Sequence, residues 1–160
     1  TPARSEPDTP RTAEVLERTE DEEEDVQELT TSDQGLRIIH VVGSLCKGPH
    51  LGLQKQMYVP GPRHQTSDVL GVLMDLLVVL DAHFVGAIAS NYPRPLVIAA
   101  EAFGAVAAVV RGNAEAVEAL VECKTDIIPN YFAHCEYDGL MTEHKARVRE
   151  AILELCACVC

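Results

Sequence analysis

The stretch from Leu96 to Val110 constrains the fold more than any other part of this chain. Glu101 is its only charged residue, and Val97, Ile98, Phe103, Val106 and Val110 spread around the whole helical circumference. A helix that is apolar on every side is normally the buried centre of a bundle. Its small residues (Ala99, Ala100, Ala102, Gly104, Ala105, Ala107 and Ala108) let neighbouring helices come close. The stretch is shorter than the ~20 residues a membrane span needs. The expectation is therefore a helical protein built around this segment.

The flanking sequence supports that reading with start and stop signals. Thr31 and Gln34 can form a capping box for a first helix carrying Ile38, Ile39, Val42, Leu45 and Cys46. Lys47-Gly48 closes it, and Pro49 opens a short second helix with Leu51, Leu53 and Met57. Pro60-Gly61-Pro62 forces a loop, after which Thr66, Ser67 and Asp68 offer caps for a third helix through Leu70, Leu73, Leu77 and Leu80. That helix runs towards Ala89, with Gly86 weakening its end. The segment from Asn91 to Pro95 breaks the chain before the central helix. Arg111-Gly112 ends the central helix, and Asn113 caps a fifth that runs to about Glu122 with Val117, Leu120 and Val121 inward. A short piece around Ile127–Phe132 follows. Thr142 then caps a last helix holding Val148, Ile152, Leu155, Cys156 and Val159. No alternating strand pattern of useful length appears. The predicted class is all-α, with about six helices.

Charge divides the chain. The formal net charge is −12, but residues 1–30 hold eleven acids against three arginines. With Pro2, Pro7 and Pro10 and the run Asp21–Asp25, residues 1–30 read as a disordered acidic linker ahead of a helical domain over 31–160. No EF-hand spacing appears in the acidic run. Neither part carries the basic stripe that nucleic-acid binding requires. Asp75, Asp81 and His83 interrupt the apolar stretch from Val69 to Ser90, so direct membrane insertion by this segment is not expected.

The cysteines do not suggest a secreted framework. Three of the six (Cys156, Cys158 and Cys160) crowd into the last five residues, and free thiols in a reducing compartment are expected. Cys156 and Cys160 share a helix face, with Cys158 roughly opposite, so one helix cannot converge all three on a zinc ion. Cys123, His134, Cys135 and His144 match no zinc spacing, and no orienting residue for a Cys–His nucleophile pair is identifiable. His83, beside Phe84, reads as a satisfied helix histidine. The chain reads as non-enzymatic, with no metal or cofactor. Asp75 and Glu101, each within an apolar helix, are candidates for interhelical ion pairs with Arg111, Arg94 or Lys124 that would fix helix stacking, or for positions on an exposed edge.

Two corners of the chain echo each other. Lys47-Gly48-Pro49 maps onto Arg111-Gly112-Asn113 at an offset of 64 residues, and Leu53-Gln54 then falls on Val117-Glu118. Each unit is a long helix, a cation, a glycine, a helix-starting residue and a short amphipathic helix. A glycine in the left-handed conformation lets the second helix pack back at an angle, and stacked corners of this kind build α-solenoids.

The segment Val106–Cys123 resembles an armadillo repeat, with Gly112, Asn113, Val117 and Leu120 in the matching places. The segment "SLCKGPHLGLQKQM" is more specific. Its Leu45-Cys46 and Leu53-Gln54 pairs resemble a helical segment of the homology-associated domain of inositol trisphosphate and ryanodine receptors. The loop after Met57 and the helix from Ser67 follow the family's order, and the likeness covers roughly Leu36–Cys123. The chain departs from the family in its Pro60-Gly61-Pro62 loop, its alanine content and its 4% aromatics. The resemblance implies an armadillo-like right-handed α-solenoid fragment. Such a domain is a cytosolic scaffold in a large calcium-release channel of the endoplasmic reticulum membrane. It would contact adjacent domains or subunits of a homotetrameric parent and relay conformational change. A soluble armadillo-type adaptor that binds a peptide or partner protein is the alternative.

Overall fold

Local capping chemistry sets the helix boundaries. The computed structural model describes residues 33–48, 51–57, 68–122, 126–136 and 142–160. The chain divides into two units, Thr1–Gly35 and Leu36–Cys160. Residues 33–35 of the first unit are described, and they are helical. The acidic linker, the Thr31 cap, Pro49 and the Pro60-Gly61-Pro62 loop lie outside the described residues. Seven helices and no strands occur among the described residues: α1 (33–46), α2 (Leu51–Met57), α3 (Val69–Ala89), α4 (Arg94–Val110), α5 (Ala114–Glu122), α6 (Ile127–Cys135) and α7 (Thr142–Val159). The all-α class is therefore observed.

Asp68 caps α3, its Oδ1 accepting from the Gly71 amide at 2.8 Å. Gly86 does not shorten α3, which runs on to Ala89. There Ser90 Oγ donates to the Gly86 carbonyl at 2.8 Å, and Asn91 turns the chain at φ 55°. The central helix begins at Arg94, two residues earlier than its apolar run suggests. Pro95 is accommodated because the first helical turn needs no amide donors. α6 extends past the expected Phe132 to Cys135.

α4 is the centre of the unit. Ten of its seventeen residues are buried, from Leu96 and Ala99 to Val110. α7 and α3 form the two largest packing surfaces on it, and α6 joins α3 to α7. α2 and α5 lie against α4 through smaller contacts. α1 reaches α4 through a glycine: a Cβ on Gly43 would stand 3.5 Å from the Ala105 Cα. The small residues of α4 thus permit the close helix approach the sequence suggested.

α3 is long and apolar enough to cross a membrane by length and composition. Here it buries one stripe (Leu70, Leu73, Met74, Leu77, Leu80 and Phe84, continuing to Ile88) against α4 and α6. Val72, Asp75 and Val79 lie on its exposed side.

Candidate functional site

Helix ends carry backbone carbonyls with no partner inside the helix, and the site grows from two such ends. Gln54 sits on α2 and is 3% exposed. Its Nε2 donates to the Cys46 carbonyl at 3.0 Å and to the Ala108 carbonyl at 3.0 Å. Both amide hydrogens are used, and two orphan acceptors at the ends of α1 and α4 are satisfied. A single side chain therefore ties both long helices of the echoed corners together. Sequence reasoning placed Gln54 in the motif but took Leu51, Leu53 and Met57 as the apolar content of α2. In the structure Leu51 is half exposed, Leu53 and Met57 are partly covered, and the amide is the buried group.

The second corner follows its expected chemistry. Gly112 has φ +71°, the left-handed region. Asn113 is buried, and its Oδ1 accepts from the Ala116 amide at 3.3 Å. Leu120 is buried and Val117 partly so, but Val121 is 55% exposed rather than inward. α5 packs chiefly on α4, so one narrow stripe is covered and Ala116, four residues before Leu120, takes the inner place. Gly48 and Leu45 mark the other corner. Cys46 is fully buried there, which pushes its thiol pKa up, while Leu45 is exposed.

The expected ion pairs have different partners. Arg94 opens Glu101's helix and Arg111 caps its end, seven and ten residues away, roughly 10–15 Å along the axis. Glu101 Oε2 instead lies 3.6 Å from His40 Nδ1 on α1. Arg111 donates to Glu154 on α7, and Cys158 and Glu154 beside the guanidinium raise its pKa further. Asp75 is on the exposed face of α3. Lys124 lies outside the described residues. His40 and Glu154, which sequence reasoning missed, carry no local signal because their partners are on other helices.

An aromatic pillar fixes α6. Tyr131 is buried, its hydroxyl donates to the Leu77 carbonyl at 2.8 Å, and its ring meets Phe84 and Phe103 edge-on at 5.0 Å each. Burial and the nearby Asp81 push the phenol pKa far up. His134 stacks on Phe84 with its Nε2 3.2 Å from Asp81 Oδ1, and Cys135 Sγ approaches the Lys145 carbonyl. Those two residues are thus engaged separately. His144 is partly buried on α7, His83 is exposed on α3, and Cys123 lies outside the described residues. Among the described residues no group of three His, Cys, Asp or Glu side chains converges on a point that could hold a metal. The five described cysteines are free thiols, Cys160 exposed and Cys156 and Cys158 partly covered.

An open groove of about 500 Å³ runs between α1 and the start of α4, lined by Leu36, Arg37, His40, Val41, Val97 and Glu101. The arrangement ties the ends of α1 and α4 together through Gln54 and presents an open groove between the same two helices. The chain matches no protein-family model, no curated protein and no solved structure.

Proposed function

We propose that this chain contains a non-enzymatic, armadillo-like helical scaffold domain of an intracellular calcium-release channel, similar to the homology-associated domain of inositol trisphosphate and ryanodine receptors. One observation carries the reading. Gln54, the last residue of the family-like motif Leu45-Cys46…Leu53-Gln54, is the buried clamp between the ends of α1 and α4. A motif that locks a corner suits a domain that must move as one body. The left-handed Gly112 and the Asn113 cap support the solenoid-type corner. In this reading the domain lies on the cytosolic face of the endoplasmic reticulum membrane. It contacts neighbouring domains or subunits of a tetramer and passes on their movement by rigid-body displacement. The pore and the messenger site belong to other parts of the parent.

The test is the full-length transcript read beyond the codon for Cys160. The expected frame continues into a cluster of apolar spans with a short re-entrant filter near its end. A frame that continues as soluble helical repeats sinks the channel reading and leaves an adaptor.

A further inference from the structure

α1 is apolar on two sides. Ile39, Val42, Gly43 and Cys46 turn towards α4 and the core, whereas Ile38, Val41 and Leu45 are 64%, 54% and 47% exposed. These three stand at i, i+3 and i+7, one continuous stripe on a helix. Val41 also forms one wall of the 500 Å³ groove, with Val97 of α4 opposite. The exposed charge along the stripe is mainly basic, with Asp33 at the first turn of α1 the one acid on that helix. From residue 34 to residue 67 the chain contains no Asp or Glu, while Arg37, Lys47 and Lys55 are all exposed there. The one acid on the groove wall, Glu101, is engaged by His40.

We propose that this face receives an acidic amphipathic helix from a partner protein. Its apolar residues would seat along Ile38, Val41 and Leu45 with one side chain in the groove, and its flanking carboxylates would meet Arg37 and Lys47. Helix-in-groove recognition needs this combination of an apolar stripe at helical spacing and a charged rim that sets orientation. Two other occupants fit less well. A second copy would offer α3, whose exposed Val72, Val78 and Val79 are accompanied by the one exposed acid Asp75, or α5 and α7, whose exposed acids (Glu115, Glu118 and Glu122; Glu150 and Glu154) each accompany a single large exposed apolar residue, Val121 or Leu153. An anionic bilayer is a broad surface that meets the whole molecule, and the net charge of −12 opposes it. The inference goes beyond the channel reading and does not need it, since the same face exists in a channel subunit or in a soluble adaptor.

The experiment titrates the 160-residue chain against a synthetic helical peptide with leucines at i, i+3 and i+7 and glutamates beside them, followed by fluorescence anisotropy. Expected is saturable binding that weakens with salt. The double variant Val41→Ser, Leu45→Ser should lose about tenfold or more in affinity, as removal of central apolar anchors does. Arg37→Gln should lose less and flatten the salt dependence. Both changes are at exposed positions, so an unchanged thermal melt separates lost binding from lost folding. The proposal is overturned if a lysine-for-glutamate peptide binds equally well, if phosphatidylserine vesicles bind in the peptide's place, or if the serine variant binds unchanged. It is also overturned if sedimentation shows self-association that the serine variant abolishes.

Discussion

Gln54 Nε2 reaches the carbonyl of Ala108, 54 residues further along the chain, at 3.0 Å, while its other hydrogen serves Cys46. The two acceptors are the ends of different helices, so this amide is a joint between elements and not a feature of α2 alone. Its burial means that water cannot replace it.

Replacing Gln54 with Met keeps the volume and removes both donors. The Cys46 and Ala108 carbonyls then lose their partner in a dry site, at a cost of about 2–4 kcal/mol. Urea denaturation followed by circular dichroism measures it. A loss under about 0.5 kcal/mol would mean the clamp is dispensable.

Tyr131 separates a hydrogen bond from a packing effect. Tyr131→Phe removes the hydroxyl from the Leu77 carbonyl while keeping both edge-on ring contacts, and should cost about 1–2 kcal/mol. Tyr131→Ala also leaves a cavity between Phe84 and Phe103 and should cost about 3–5 kcal/mol. Equal losses in the two variants would show that the rings contribute nothing beyond the hydroxyl.

Two glycines should respond oppositely to alanine. A Cβ at Gly43 meets Ala105 at 3.5–3.6 Å, an ordinary contact, so Gly43→Ala should be neutral or stabilise α1 by up to about 1 kcal/mol. Gly112 has open space around it but φ +71°, so Gly112→Ala should cost about 1–2 kcal/mol through backbone strain. Melting temperatures of the two variants should therefore move in different directions or by clearly different amounts.

Stability should fall at high pH. Burial raises the pKa values of Cys46 and Cys135 above the ordinary 9.0, and burial with Asp81 raises that of Tyr131 above 10.0. A raised folded-state pKa means that the folded chain holds protons the unfolded chain releases. The stabilisation is complete below the unfolded value and is lost as pH climbs through the folded one. Unfolding free energy should thus decline from about pH 9 upward, with the tyrosine adding to the slope above about pH 10. The double variant Cys46→Ala, Cys135→Ala should flatten the first part of that decline in a urea series run across pH.

Much of the secondary structure was legible in the residues. Asp68, Asn113 and the Arg111-Gly112 pair mark helix boundaries through their own backbone and side-chain preferences. The all-round apolar character of Leu96–Val110 gave away the central helix. The pairing of charges was not legible. The residues offer Arg111, Arg94 and Lys124 as partners for Glu101, whereas the structure sets it against His40 across a helix crossing. The inward side of α5 was also misjudged at Val121, because a nine-residue helix with one principal neighbour covers less of its surface than its apolar residues could fill.

The sequence by itself determined the helices, their order and the corner at Gly112. Those depend on capping, proline and glycine conformations and apolar periodicity, all settled within a few residues. The tertiary structure alone decided which polar groups are buried and with whom. Whether an amide such as Gln54 can leave water depends on two carbonyls arriving within 3.0 Å of one point, from segments 54 residues apart in one case. No local preference encodes that meeting: it exists only once α1, α2 and α4 have packed.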